Sequence, residues 1–319
     1  MSASILSLVL FANVTVIAPV PLLRDAYSEA GRVFGERADY NAKLVARRQF
    51  WDDEPILLTI MVGKNKGEMS TVIQPSTIQG QTFLDDGKRL HHFIPDENTI
   101  YVSPSSKTFL PSSEKMVDWL RMNYTGQITS RRKRLGRSVR ILEFEPRHQG
   151  LPSRTIVVDS ELPVMQSYVA HWEGKKINLF EVLEIQPLGS PPNSISLPSN
   201  SNTKTIEKFG PKPVKDLMVA AALLGFQPSR PKSYPLGFVP YAEQIVGKEA
   251  EPAYGTRLTD GMALVTVYQW PYTGSRKKPL WGQYEPYYVD RANNIAFTAL
   301  GDLPPSALKT LATAQAKSQ

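Results

Sequence analysis

The stretch DEPILLTIMVGKNKGEMSTVIQ, residues 53–74, decides how the chain reads. Ile56 to Val62 is an apolar run, Gly63-Lys64-Asn65-Lys66-Gly67 carries turn chemistry, and Glu68 to Gln74 follows, so the spacing predicts a β-hairpin. Working outward, Gly80 to Leu84, Arg89 to Phe93 and Thr99 to Val102 are further strand candidates, set apart by Asp85-Asp86-Gly87 and Pro95-Asp96-Glu97-Asn98. Beyond Pro111-Ser112-Ser113, the residues Met116, Trp119, Leu120 and Met122 recur at helical spacing, with Ser113 as N-cap candidate. Strands resume at Val139 to Glu145, Arg154 to Asp159, Gln166 to Trp172 and Lys176 to Ile185. Asp53 to Ile185 thus reads as one long antiparallel meander interrupted by a short helix. Val139/Ile141 and Leu142/Phe144 fall on opposite faces of their pleat, so one apolar face must meet something other than water. A curled sheet of this kind is plugged by a helix, binds an apolar ligand, or does both.

The rest of the chain frames that meander. With 319 residues, 41% hydrophobic and 21% charged, it can bury a substantial core and divides into two domains. Pro21 to Glu36 suits an amphipathic helix through Leu22, Leu23, Ala26, Ala30 and Val33, and Tyr40 to Phe50 supplies a first strand. Residues 187–213 are rich in Pro, Ser and Asn and read as a linker between a first domain at 21–186 and a second at 214–319. In the second domain a helix from Val214 stops at Gly225. Strands are expected at Phe238 to Val246, Met262 to Trp270, Tyr284 to Val289 and Asn294 to Leu300, and a closing helix opens at Asp302 and Pro304-Pro305. The fold class is α+β. Residues 1–20 include an apolar run, Ile5 to Ala18, of signal-peptide length but with no Lys or Arg before it. A signal segment, an uncleaved anchor and a buried strand all stay open.

The chemical inventory points to binding. Absence of cysteine excludes disulfides, thiol catalysis and a lipid-modified cysteine. His91, His92, His148 and His171 lack metal-ligand spacing, and Gly63 to Gly67 is not followed by the Lys-Ser/Thr of a phosphate loop. No nucleophile elbow or dinucleotide fingerprint occurs, so no enzyme activity, metal or cofactor is expected. The net charge of +7 favours acidic partners, anionic headgroups or nucleic acid. Arg131, Arg132, Lys133 and Arg134, with Arg137 and Arg140, form the densest basic run. They are either a solvated hairpin end or a docking patch for an acidic partner or a membrane surface. Tyr268, Trp270, Tyr272, Trp281, Tyr284, Tyr287 and Tyr288 concentrate aromatic area in one hairpin. That area serves packing or a protein-binding surface, whereas base stacking is disfavoured because Arg276-Lys277-Lys278 is not interleaved with the rings.

Several motifs, in order, resemble one known family. They are Trp51-Asp52-Asp53, Gly80 to Gly87 (GQTFLDDG), Ile94-Pro95, Leu135-Gly136-Arg137, Glu145-Pro146-Arg147 and Leu162-Pro163 in the first domain. In the second they are Tyr234 to Phe238 (YPLGF), Thr259 to Ala263 (TDGMA) with Val265 to Tyr268 (VTVY), and Ala299 to Pro304 (ALGDLP). The chain resembles the sigma-E factor regulatory proteins RseB and MucB, whose first domain is similar to the lipoprotein carriers LolA and LolB. The resemblance implies a curled antiparallel half-barrel sheet with plugging helices around an apolar cavity for acyl chains, followed by a smaller α+β domain with an antiparallel sheet. It implies a non-enzymatic, periplasmic or otherwise extracytoplasmic regulator, tethered or not by the N-terminal segment. Its partners would be the extracytoplasmic segment of an anti-sigma factor and a lipid or lipoprotein acyl chain, with peripheral membrane contact and no nucleic acid. A lipoprotein carrier without regulatory output is the alternative. On this reading Leu58, Ile60, Leu142, Phe144, Tyr168 and Trp172 are the lipid-binding candidates. Arg131, Arg132, Lys133, Arg134, Tyr268, Trp270 and Trp281 are the partner-binding ones.

Overall fold

The computed structural model describes residues 25–34, 40–51, 53–63, 67–190, 195–208, 210–214, 216–247, 252–272, 287–290 and 292–317. The apolar run from Ile5 to Ala18 and the aromatics Trp281 and Tyr284 lie outside the described residues. The chain divides into two compact units. Of the described residues, one takes those from Asp25 to Pro146 and from Pro152 to Lys208, and the other takes Arg147–Leu151 and those after Lys208.

In the first unit α1 (Ala26–Val33) is opened by Asp25, whose carboxylate accepts the Ser28 N–H at 2.7 Å, and it buries Ala26, Ala30 and Val33 along one stripe. There follow β1 (Ala42–Phe50), β2 (Ile56–Gly63), β3 (Gly67–Gln74), β4 (Thr82–Asp85), β5 (Arg89–Ile94) and β6 (Thr99–Pro104). Then come α2 (Ser113–Asn123), β7 (Tyr124–Arg134), β8 (Arg137–Pro146), β9 (Ser153–Asp159), β10 (Met165–Trp172), β11 (Lys175–Pro187) and β12 (Lys204–Glu207). Twelve strands make one curled sheet, ordered β12-β6-β5-β4-β3-β2-β1-β11-β10-β9-β8-β7 and not closed into a barrel. The expected hairpin is there, with Gly63 opposite Gly67.

Three details differ from the sequence reading. Ser112, not Ser113, caps α2, its hydroxyl accepting the Lys115 N–H at 3.5 Å. The sheet is not wholly antiparallel, because β12, inside the stretch 187–213 read as a linker, joins β6 in parallel and belongs to the first unit. The basic run belongs to a long strand, β7, that periodicity does not announce. Its hairpin with β8 turns through Leu135 (φ 52°) and Gly136 (φ 75°), the paired positive φ of a type I′ turn, which suits the twist of the flanking strands.

The second unit has β13 (Lys212–Pro213), α3 (Leu217–Leu224), β14 (Val239–Val246), β15 (Ala253–Thr259), β16 (Leu264–Pro271), β17 (Tyr288–Asp290), β18 (Ile295–Gly301) and α4 (Pro305–Ala316). Its six strands are ordered β13-β14-β15-β16-β18-β17. Val265, Val267, Phe297 and Ala299 on the sheet pack with Ala307, Leu308, Leu311 and Ala312 of α4 to form the core. Gly225, at φ 73°, ends α3 as its left-handed cap.

Candidate functional site

Alternation along β2 turns Leu58 and Ile60 to one face of the first sheet, where both are buried, opposite Ala46 and Leu44 of β1. The same face continues around the sheet. Leu142, Ile156, Tyr168 and Phe180 stand opposite one another in turn from β8 to β11, and Phe144 stands opposite Arg154 in the next row. Phe180 in turn pairs with Arg48 of β1, which pairs with Ile56 of β2, so the two halves share one surface. Helix α1 meets this surface. The Tyr27 ring packs edge-on against Phe144 at 5.9 Å, and its hydroxyl accepts the Gly126 N–H at 2.9 Å and donates to the Tyr124 carbonyl at 3.0 Å. A Cβ at Gly126 would lie 2.5 Å from Phe144 Cε1, so the close approach of strand and ring needs the glycine. Leu58, Ile60, Leu142, Phe144 and Tyr168 therefore lie on one face of the sheet, all buried. Trp172 stands half-buried at the end of β10 beside the turn to Lys175.

Charged groups share that face, which hydropathy did not foretell. Arg154 is 1% exposed; its guanidinium sits 5.6 Å from the centroid of the Tyr168 ring and it donates to the Tyr168 hydroxyl. Arg48 lies 4.8 Å over the Phe50 ring. Further along, Glu68 and Asp85 face each other across β3 and β4, with Lys107 Nζ 3.7 Å from Glu68 and 3.8 Å from Asp85. Burial pushes the Glu68 carboxyl up to about 7; Lys107 pulls it back and Asp85 pushes it further. Asp85 also accepts from the Ser105 hydroxyl at 2.9 Å and the Gly87 N–H at 2.8 Å. The sequence signal for Glu68 was its strand parity with Ser70 and Val72. The surface as a whole supplies apolar area with fixed guanidinium groups set into it.

The basic run separates into two sets. Arg131, Arg132 and Lys133 are exposed on β7 with no ion pair among the described residues. Arg134 instead donates to the Gln166 carbonyl at 3.1 Å, the Val182 carbonyl at 2.8 Å and the Glu181 carboxylate at 3.0 Å. Arg137 clamps Asp159 through two bonds at 2.5 and 3.1 Å, and Arg140 pairs with the buried Glu29 of α1. These arginines hold the fold.

In the second unit the pleat of β16 sends Val265, Val267 and Gln269 to the core and Tyr268 and Trp270 to the other face, half-buried. Tyr268 lies over Gly255, where a Cβ would meet its ring at 3.1 Å. On α3, Met218, Val219 and Leu223 are exposed. Among the described residues no helix is long and apolar enough to cross a membrane.

No protein-family model matches the chain, and no curated protein matches it in sequence. Among solved structures it is similar to MucB, at 14% identity over 87% of this chain and 93% of that one, with a TM-score of 0.55. It is also similar to the MucA/MucB complex of Pseudomonas aeruginosa, at 13% identity over 90% and 96% of the two chains, with a TM-score of 0.62. MucB in complex with MucA(peri) matches at 14% identity over 90% and 94%, with a TM-score of 0.59. The fold is that of MucB.

Proposed function

We propose that the chain is an extracytoplasmic regulator that holds the extracytoplasmic segment of an anti-sigma factor and responds to the acyl chain of a lipid or lipoprotein. The observation that carries this reading is the likeness to MucB across nearly the whole chain, including two structures described as complexes with MucA. A carrier without regulatory output would have no use for the second unit and its separate core.

Within this reading α1 and α2 are a plug that the acyl chain displaces. The chain would take the place of Tyr27 over Phe144, cover Leu142 and Tyr168, run along Leu58 and Ile60, and pass Trp172 at the rim. At about 0.8 kcal/mol per buried CH₂, a long chain contributes on the order of 10 kcal/mol gross, before the cost of displacing the helix. It alters partner binding only by the difference in its affinity for the two states. Arg131, Arg132, Lys133 and the Tyr268–Trp270 strand supply partner contacts.

The test has two arms. Native mass spectrometry of the purified full chain should find a retained lipid, and immobilised extracytoplasmic segments of the anti-sigma factors encoded in the same genome should capture the chain, less so once lipid is added. Capture by none of the segments, with or without lipid, would sink the regulatory reading; a lipid-free protein that takes up no fatty acid would sink the acyl-chain part alone.

A further inference from the structure

We propose that the outer edge of β7, from Ile128 to Lys133, accepts an extended acidic peptide segment as an added β-strand. β7 ends the sheet, and no described strand pairs with its outer side. Two anchors fix which backbone groups face outward. At one end the Tyr27 hydroxyl takes the Gly126 N–H and the Tyr124 carbonyl, so residues opposite Phe144 and Pro146 point away from β8. At the other, the type I′ turn closes on Arg134 and Arg137, whose backbone groups face each other. Alternation between these anchors, with Thr129 as the extra residue of a bulge, turns the N–H and C=O of Ile128, Arg131 and Lys133 outward. Tyr27 closes the edge at its start. Beyond Gly126 no described residue takes its outward backbone groups.

Charge then selects the occupant. Every residue from Thr129 to Lys133 is exposed, so both faces of this half-strand are solvated. A second copy of the chain pairing here would bring Arg131, Arg132 and Lys133 against their own kind, which is how native edges refuse self-association. An acidic strand reverses the sign: its backbone extends the ladder while its carboxylates meet the three exposed cations. The sequence reading left two roles for this run, solvation and docking; only the arginines from Arg134 on are held within the fold. This inference takes from the preceding reading only that the occupant is a peptide.

A fluorescein-labelled synthetic peptide of alternating Glu and Thr, titrated into the full chain, provides a test whose failure leaves the regulatory reading standing. Anisotropy should show binding at low salt that weakens about tenfold or more at high salt, and likewise for R131E/R132E/K133E. The same peptide with two central prolines should bind about tenfold more weakly, because proline cannot extend a ladder. Amide exchange on the unmodified protein should slow at Arg131 and Lys133 when peptide is added, and stay unchanged at Arg132, which already faces β8. Equal binding of the proline peptide, or unaltered exchange at Arg131 and Lys133, reduces the surface to simple charge attraction and overturns the proposal. So does an absence of binding.

Discussion

Arg134 donates to the backbone carbonyl of Val182 at 2.8 Å although three strands separate β7 from β11 in the sheet. At about 4.8 Å per strand, a flat sheet would hold these two strands roughly 19 Å apart, far beyond the reach of one side chain. The contact exists because the sheet curls. The same guanidinium takes the carbonyl of Gln166, the extra residue of a bulge in β10, and Val182 adjoins the irregularity where β11 meets β1. Bulges bend their strands and leave a carbonyl without a ladder partner. Arg134 answers two of them at once.

Arg134→Ala should therefore destabilise the chain by about 2–3 kcal/mol, the scale of charge-assisted bonds lost from a partly buried site. Arg131→Ala and Arg132→Ala, next door but exposed, should stay within about 0.5 kcal/mol. Lysine at 134 should rescue little, since a point charge cannot span the fork of acceptors. Urea unfolding of the variants measures this. Equal stability of all of them would show the hairpin tip to be held otherwise.

Tyr27→Phe keeps the ring on Phe144 but removes the hydroxyl that serves both Gly126 and Tyr124. A loss of about 1–2 kcal/mol is expected, with faster amide exchange at Gly126. Gly126→Ala should cost about 1–3 kcal/mol by forcing Phe144 and α1 apart, seen as weakened protection along α1. An unchanged exchange pattern in either variant would separate α1 from the strand it is seen to touch.

These contacts also mark how far the residues alone could be read. Ile56–Gly63 was legible because its apolar run stops at turn residues, and the burial of its two faces then alternates through most of the strand. β7 was not, because Thr129 to Lys133 is solvated on both faces and leaves no period to read. β15 failed for the opposite reason: it is buried nearly throughout, and its Gly255 exists to admit Tyr268. The parity of Leu58 and Ile60 on one face could be read directly. The burial of Arg154 beside them could not, since only the register of β9 and β10 brings the Tyr168 ring to its guanidinium. A row of six basic residues likewise looks uniform until the fold gives Arg134, Arg137 and Arg140 separate acceptors.

Gln269 and Ser229 offer a probe confined to the second unit. The Gln269 side-chain amide accepts the Ser229 N–H at 2.8 Å and donates to the Ser229 carbonyl at 2.9 Å, acting as one rung of a ladder inside the core. Gln269→Leu should cost about 2–3 kcal/mol, and Gln269→Glu more, since it loses the donor and buries a charge. Thermal unfolding followed by tryptophan fluorescence tests the order. Glu more stable than Leu would contradict it.

Glu68 sets a dependence on pH with a definite sign. Burial, with Asp85 beside it, pushes its carboxyl up to about 7 in the folded chain against an ordinary 4.5, with Lys107 offsetting part of the rise. Between those values the folded state holds a proton that the unfolded state has released, so this group's contribution to stability falls as pH rises through that window. A difference of that size corresponds to roughly 3 kcal/mol once the window has been crossed. Glu68→Gln has no proton to lose there, so its unfolding free energy should be flatter from about pH 5 to 8, and its advantage over the natural residue should grow toward the alkaline end. Urea midpoints for both proteins across that range decide the matter. Parallel pH profiles would mean that Glu68 is already charged near pH 5, with Lys107 outweighing burial.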